Sequence, residues 1–102
     1  MAADASFDET IHAPVRLRVC GLLRRVQEID FAVLRDTLGV SDASLSKHLK
    51  VLADAGYVTI NKSRSPTRAD ARQLTWVSLS RSGRDAFDGH IKELQRIAAS
   101  EF

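Results

Sequence analysis

The sequence predicts a mainly α-helical domain with a small β-hairpin, an α+β class with the order α-α-α-β-β-α. Three observations lead there. Apolar residues recur at three- and four-residue steps in four segments, as on the buried face of a helix. Two of those segments are closed by glycines, Gly39 and Gly56. After Gly56 the pattern changes to aromatic and β-branched residues mixed with polar ones, as in strands. The 102 residues fit one domain, and 44% apolar with 27% charged residues is the balance of a folded chain rather than a disordered one. Residues 1–10 read as an N-terminal arm that gains a helical turn near Phe7, and 11–100 as the domain.

Pro14 suits the first turn of a helix, where its missing N–H costs nothing. Val15, Val19, Leu22, Leu23 and Val26 then mark a helix over roughly 14–26, with Arg16, Arg18, Arg24 and Arg25 on its other face. Asp30 is an N-cap for a shorter helix whose stripe is Phe31, Leu34 and Leu38, ended by Gly39. Ser41 caps a third helix, roughly 42–55, with Leu45, Leu49 and Leu52 as its stripe and His48 at the margin. The tight turn from Leu38 to Ser41 makes these two a helix-turn-helix pair.

Residues 57–62 and 72–79 read as two strands, joined by a polar loop containing Pro66. Ser80 caps a last helix, roughly 81–99, with Phe87, Ile91, Leu94 and Ala98 in its seam and His90 and Ile97 beside them. A hairpin directly after a helix-turn-helix is a wing.

The net charge is only +2, but its distribution is uneven. Residues 62–72 hold Lys62, Arg64, Arg68 and Arg72 against Asp70 alone. Such a segment can meet phosphate although the whole chain is nearly neutral. On the third helix, Ala43, Lys47, Lys50 and Asp54 lie opposite the leucines, with Ser44 and Ser46 on the flanks. Small and basic residues on the outer face of such a helix suit a major groove. The candidate DNA contacts are therefore Ser41, Ser44, Ser46, Lys47, His48 and Lys50 on the helix, and Lys62, Arg64, Arg68 and Arg72 in the wing. The spacing alone leaves open an ordinary solvated helix face, a hairpin that only solubilises, and a structural His48.

Other chemistries find little support. Cys20 is the only cysteine, so no internal disulfide forms, and it sits beside an apolar stripe as a buried, inert thiol would. His12, His48 and His90 lack metal-ligand spacing, and no glycine loop or nucleophile–base pattern indicates an enzyme. No metal or cofactor is expected. The acidic N-terminus is unlike a secretory signal, and no apolar run approaches ~20 residues. A cytoplasmic, nucleoid-associated protein is the expectation. So thin a core would gain from a second copy, which predicts a homodimer using Val15, Val19, Leu22, Phe87, Ile91, Leu94 and Ala98.

Three stretches carry a family resemblance. The run from Ile11 to Val19, including Pro14, Arg16 and Leu17, resembles the opening of winged-helix regulators. The run from Ser44 to Val58, SLSKHLKVLADAGYV, is similar to their recognition segment, and LSRSGR at 79–84 to the start of their last helix. Over roughly 9–99 the chain resembles the MarR/ArsR-type winged helix-turn-helix regulators, most closely the short single-domain MarR-like proteins. The resemblance implies a compact winged helix, a dimer built on the terminal helices, and regulation at operators. It points to Ser44, Ser46, Lys47 and His48, and to Arg64 and Arg68. Residues 41–56 lack the Cys-x-Cys pair of the metal-sensing branch. The long extra helices that form a ligand pocket in larger members are also missing, which leaves a small-molecule effector undecided. The function expected is a sequence-specific double-stranded DNA-binding transcription regulator. The alternative is a winged-helix protein-interaction module that binds no DNA.

Overall fold

A computed structural model of the protein describes residues 3–64 and 73–99, with Arg64 and Gln73 defined in the backbone alone. The chain order is α1 (Glu9–His12), α2 (Pro14–Leu23), β1 (Ile29–Asp30), α3 (Phe31–Leu38), α4 (Asp42–Asp54), β2 (Val58–Arg64), β3 (Gln73–Leu79) and α5 (Arg81–Ala98). The strands form an antiparallel sheet in the order β1-β3-β2. The mainly helical winged architecture expected from the pattern is present, with two additions and one shortening.

The first addition is α1. The Asp8 carboxylate accepts from the Ile11 N–H at 2.9 Å and starts a single turn. Ala13 is extended, with φ −57° and ψ 133°, because the ring of Pro14 disfavours helical geometry in the residue before it. The chain therefore kinks between α1 and α2. The second addition is β1, whose Ile29 and Asp30 pair with Val77 and Trp76. Two residues are too few to show a strand period. To reach β3 the chain must leave α2 early. Tight bonds from Arg25 N to Leu22 O and from Val26 N to Leu23 O close the helix at Leu23 instead of 26. Val26, expected in the stripe, is 41% exposed.

The caps fall where their residue types require. Asp30 caps α3, and Ser41 caps α4 by accepting from Ser44 N–H at 3.1 Å. Gly39 and Gly56 take φ of +68° and +80°, the left-handed geometry that ends α3 and α4. Ser80 caps α5 and also donates through Oγ to Gly56 O at 2.6 Å.

The core joins every helix to the sheet. Ile11, Val19, Cys20, Leu23, Leu34, Leu45, Leu52 and Val77 are fully buried, with Leu38, Leu49 and Val58 nearly so. Val19, expected at a dimer interface, belongs to this core, because the kink at Ala13 lays that face of α2 against α4. Burial pushes the Cys20 thiol up to about 12, so it stays protonated and unreactive.

Residues 3–8, expected as an arm, run against α5. Gly89 permits it: a Cβ there would stand 2.6 Å from Asp4 O. Ser6 N–H donates to Gly89 O at 2.9 Å, and Lys92 donates to Ala3 O. Asp8 is the hub of this contact. Its N–H donates to Nδ1 of the fully buried His90 at 3.0 Å, and its Oδ2 accepts from the Tyr57 hydroxyl at 2.5 Å. His90 Nε2 meets His12 Nδ1 at 3.2 Å, and Phe7 packs on both rings. Since Nδ1 accepts, His90 is neutral with its proton on Nε2. At the other end, Arg24 grips Asp88 through two bonds of 2.9 and 3.1 Å, tying α2 to α5.

Two predictions follow from this packing. A Cβ on Gly83 would lie 2.0 Å from Tyr57 O, a backbone atom that cannot swing aside. Gly83→Ala should destabilise the fold by about 1–3 kcal/mol, read as a lower denaturant midpoint, and an unchanged midpoint would mean that α5 slides freely.

Burial, then the neighbouring His12, holds the His90 pKa below its ordinary 6.5, against the pull of Asp8. The unfolded chain therefore takes up this proton first. The stability His90 contributes is complete above pH 6.5 and drains as pH falls through its lower folded value. Urea titrations from pH 7.5 to 5 should show falling stability, with a shallower fall for His90→Gln; an identical slope would assign the acid sensitivity elsewhere.

Candidate nucleic-acid interface

The site is built on α4. Its three leucines at steps of four and three face the core, so the intervening residues face out. Ser46, Lys47 and Lys50 are exposed, as is Ala43, while Ser44 and His48 are half-buried. Ser41 is exposed, but its hydroxyl is engaged by the Ser44 amide, so its first task is structural. Lys50 pairs with Asp54 one turn on at 3.1 Å; both side chains are about two-thirds exposed or more, which makes the pair weak and easily exchanged.

The turn between α3 and α4 is held electrostatically by a residue that sequence reasoning passed over. Arg35 donates to Asp36 at 2.9 Å and to Asp42 at 2.7 Å. Asp42 stands in the first turn of α4, where a carboxylate complements the helix dipole but would repel a phosphate. The guanidinium offsets that charge, and its own pKa rises through its bonds to Asp36 and then Asp42. The only signal available in the sequence was a basic residue in the last turn of α3 followed by an acid at the start of the next helix.

Arg16 was also unassigned. From α2 its Nε donates to Thr10 O at 2.6 Å, and its Nη1 lies 3.1 Å from His48 Nδ1. A guanidinium has no acceptor, so Nδ1 must accept and the ring proton sits on Nε2. Desolvation, then Arg16 and Lys47, lower the His48 pKa. His48 therefore couples α4 to α2, and the neutral ring keeps one N–H to offer.

The wing stands away from the core. From Thr59 to Ser63 every residue of β2 is exposed, Lys62 among them, and the register runs to Arg64 opposite Gln73. Arg64 is placed as the last residue of β2, while Arg68 and Arg72 lie outside the described residues. Between α4 and the wing is a cleft of about 410 Å³ that includes Ser46, Lys50 and Lys62. The structure thus brings Ser46, Lys50 and Lys62 together along one opening.

Of the residues expected at a dimer surface, Val15, Leu22 and Phe87 are partly buried against the chain's own core. Ile91 and Leu94 are half-buried and Ala98 is exposed, as is the neighbouring Ile97 at 43%. Among the described residues no group of three or more potential ligands could hold a metal ion, and no helix is long and apolar enough to cross a membrane.

Helix-turn-helix, wing and capping helix define a class, and comparison with known proteins identifies it. The pattern of the family described as winged helix DNA-binding domain matches residues 15–98, and the chain belongs to that family. An uncharacterized protein of Methanocaldococcus jannaschii is 30% identical over 84 residues, covering 82% of this chain and 87% of that one. A transcriptional regulator homologue of Pyrococcus horikoshii is similar in structure with a TM-score of 0.79 at 23% identity, covering 89% of this chain and 86% of that one. ZitR of Lactococcus lactis, a zinc-responsive MarR family member, superposes with a TM-score of 0.57 at 16% identity, covering 95% of this chain and 60% of that one. A mutant of ZitR in complex with DNA gives 0.51 at 19% identity, covering 94% and 58%.

The Arg16–His48 contact makes its own prediction. Removing the guanidinium in Arg16→Met should raise the His48 pKa toward 6.5, followed by NMR titration of its ring protons. A pKa unmoved by the substitution would mean that the two side chains do not meet in solution.

Proposed function

We propose that the protein is a sequence-specific double-stranded DNA-binding regulator of transcription that acts as a homodimer. The observation that carries this reading is α4. Its leucines lock the helix to the domain while Ser46, Lys47 and Lys50 face outward, with the proton-bearing Nε2 of His48 beside them. Lysines there neutralise phosphates, and small hydroxyl residues allow close approach to base edges. Ser41 and Ser44 flank this face. Lys62, Arg64, Arg68 and Arg72 in the wing would reach neighbouring phosphates or a minor groove. A protein with this role would lie with the nucleoid in the cytoplasm.

Support for the dimer comes from the distal half of α5. Ile91, Leu94, Ile97 and Ala98 form a stripe incompletely covered by the single chain. Val15, Leu22 and Phe87 would border the seam. A two-fold axis there would carry two α4 helices to successive major-groove turns, about 34–36 Å apart.

The test is selection from a random duplex library, followed by anisotropy titrations across salt and light scattering of the free protein. The expected outcome is a dimeric mass, a palindrome with half-sites one helical turn apart, and steep loss of affinity with salt. Lys47→Ala or Lys50→Ala should weaken binding on all sequences and lower the salt slope by about 1. No binding even at low salt would overturn the reading in favour of a protein-interaction module. A monomer that still binds DNA would remove only the dimer.

A further inference from the structure

Residues 3–8 lie on α5 as a strap, and few contacts hold them there. Ser6 N–H donates to Gly89 O at 2.9 Å, Lys92 donates to Ala3 O, and Asp8 N–H donates to His90 Nδ1 at 3.0 Å. Phe7 packs on the rings of His12 and His90 yet stays 44% exposed. A segment that buries so little apolar surface sits at the low-stability end of a fold. Its most buried anchor is a titratable ring, since His90 has no exposed surface.

The hydrogens at that ring all point one way. Asp8 N–H donates to His90 Nδ1, and His90 Nε2–H donates to His12 Nδ1 at 3.2 Å. A second proton on His90 would turn Nδ1 into a donor facing the Asp8 N–H. The exposed His12 can turn a protonated ring to water, whereas the buried His90 has no such escape. The surrounding groups do not hold a cation there. Asp8 is the nearby carboxylate, but its Oδ1 accepts from Ile11 N–H and its Oδ2 from the Tyr57 hydroxyl. Tyr57 and Cys20 each have a pKa pushed up to about 12 and stay neutral. Arg16 on α2 is itself a cation. On α5, Asp88 is engaged by Arg24 and Lys92 by Ala3 O, and β3 carries no titratable residue.

We infer that residues 3–7 are a pH-operated strap that leaves α5 when His90 takes up a proton, with Asp8 as the hinge. Tyr57 and the Ile11 N–H keep the Asp8 carboxylate in place, so α1 and the core remain folded. The seated strap excludes a proton that the freed ring accepts at its ordinary 6.5, so acid below that value favours release. Ala3 borders Phe87, Asp88, Ile91 and Lys92. Release therefore bares the flank of α5 beside Phe87 and Ile91, residues of the proposed dimer seam, and a second copy gains apolar surface to cover. That tightening of the dimer rests on the dimer reading, whereas the release of the strap does not.

The experiment uses the full chain, labelled with nitrogen-15. Between pH 7.5 and 5.0 the heteronuclear NOE of the amides from Asp4 to Phe7 should fall by at least half, while those of Val19, Leu45 and Val77 keep their values. His90→Gln offers a neutral acceptor to Asp8 N–H at both pH values and should keep the strap ordered at pH 5.0. His12→Gln should release it as the wild type does. Linkage is reciprocal, so expelling the strap must in turn raise the His90 pKa. Gly89→Ala does this, because its Cβ would stand 2.6 Å from Asp4 O. In that variant the strap should be free already at pH 7.5, and the His90 pKa should rise toward 6.5 by roughly 0.5 or more. Where His90→Gln loses its thermal transition, Gly89→Ala decides. Light scattering over a dilution series should give a dimer Kd at least threefold lower at pH 5.0 than at 7.5, with that gain lost in His90→Gln.

An unchanged NOE in the wild type, equal release in a folded His90→Gln, loss of the release in His12→Gln, or an unmoved His90 pKa in Gly89→Ala would overturn the strap. A dimer of equal strength at both pH values would overturn its coupling to the seam. A monomer at both would overturn the dimer reading and leave the strap standing.

Discussion

The burial of Leu45, Leu49 and Leu52 is the constraint on which the rest of the structure depends. Each removes its side chain almost wholly from water. At roughly 1.5–3 kcal/mol for a fully buried leucine, the three together are comparable with the whole stability of a small domain. Turning α4 by one residue would bring Ser46, Lys50 and Ala53 inward and expose all three leucines. No arrangement of the surface could offset that. The direction in which Lys47 and Lys50 face is thus decided by the apolar back of the helix, not by any interaction at the front.

Once α4 is fixed, its end organises the opposite side of the molecule. Gly56 reverses the chain, and the backbone at Tyr57 becomes the surface on which α5 starts. Ser80 N–H donates to Tyr57 O at 2.9 Å, and Gly83 lets the first turn of α5 lie directly on that carbonyl. The Tyr57 hydroxyl then reaches Asp8, and Asp8 reaches His90. Residues 8, 57 and 90, distant in sequence, share one hydrogen-bonded cluster whose polar atoms satisfy one another. Tyr57 is held in its neutral donor form, its pKa pushed up to about 12 mainly by the bond to Asp8.

At the front, electrostatics sets the details. Asp42 and Asp36 would make the entrance to α4 acidic, and Arg35 offsets both from one position. His48, on the edge of the same face, is kept neutral by partial burial and by Arg16. These contacts tie α4 to its neighbours, whereas Lys47 stands exposed on the same face. The cleft beside them adds apolar surface to a region otherwise suited to phosphate.

The sequence by itself determined helices α2 to α5 apart from the end of α2, the N-caps Asp30, Ser41 and Ser80, and the outward face of α4. These depend on local rules: a 3.6-residue period, a side-chain oxygen at an N-cap, and a glycine where φ must be positive. Ser41, Gly39, Gly56 and the leucine stripe could be read because each signal lies within a few residues. The tertiary structure alone decided β1, the core placement of Val19, the seat of residues 3–8 on α5, and the partners of Arg16 and Arg35. Those depend on which surfaces meet across long separations. Two residues of strand carry no period, and an arginine on a polar face does not announce which acceptor it will find. The pairing of Arg16 with His48 spans 32 positions, and that of Asp8 with His90 spans 82. Only the folding of α2 and α5 around α4 brings such groups within hydrogen-bond distance.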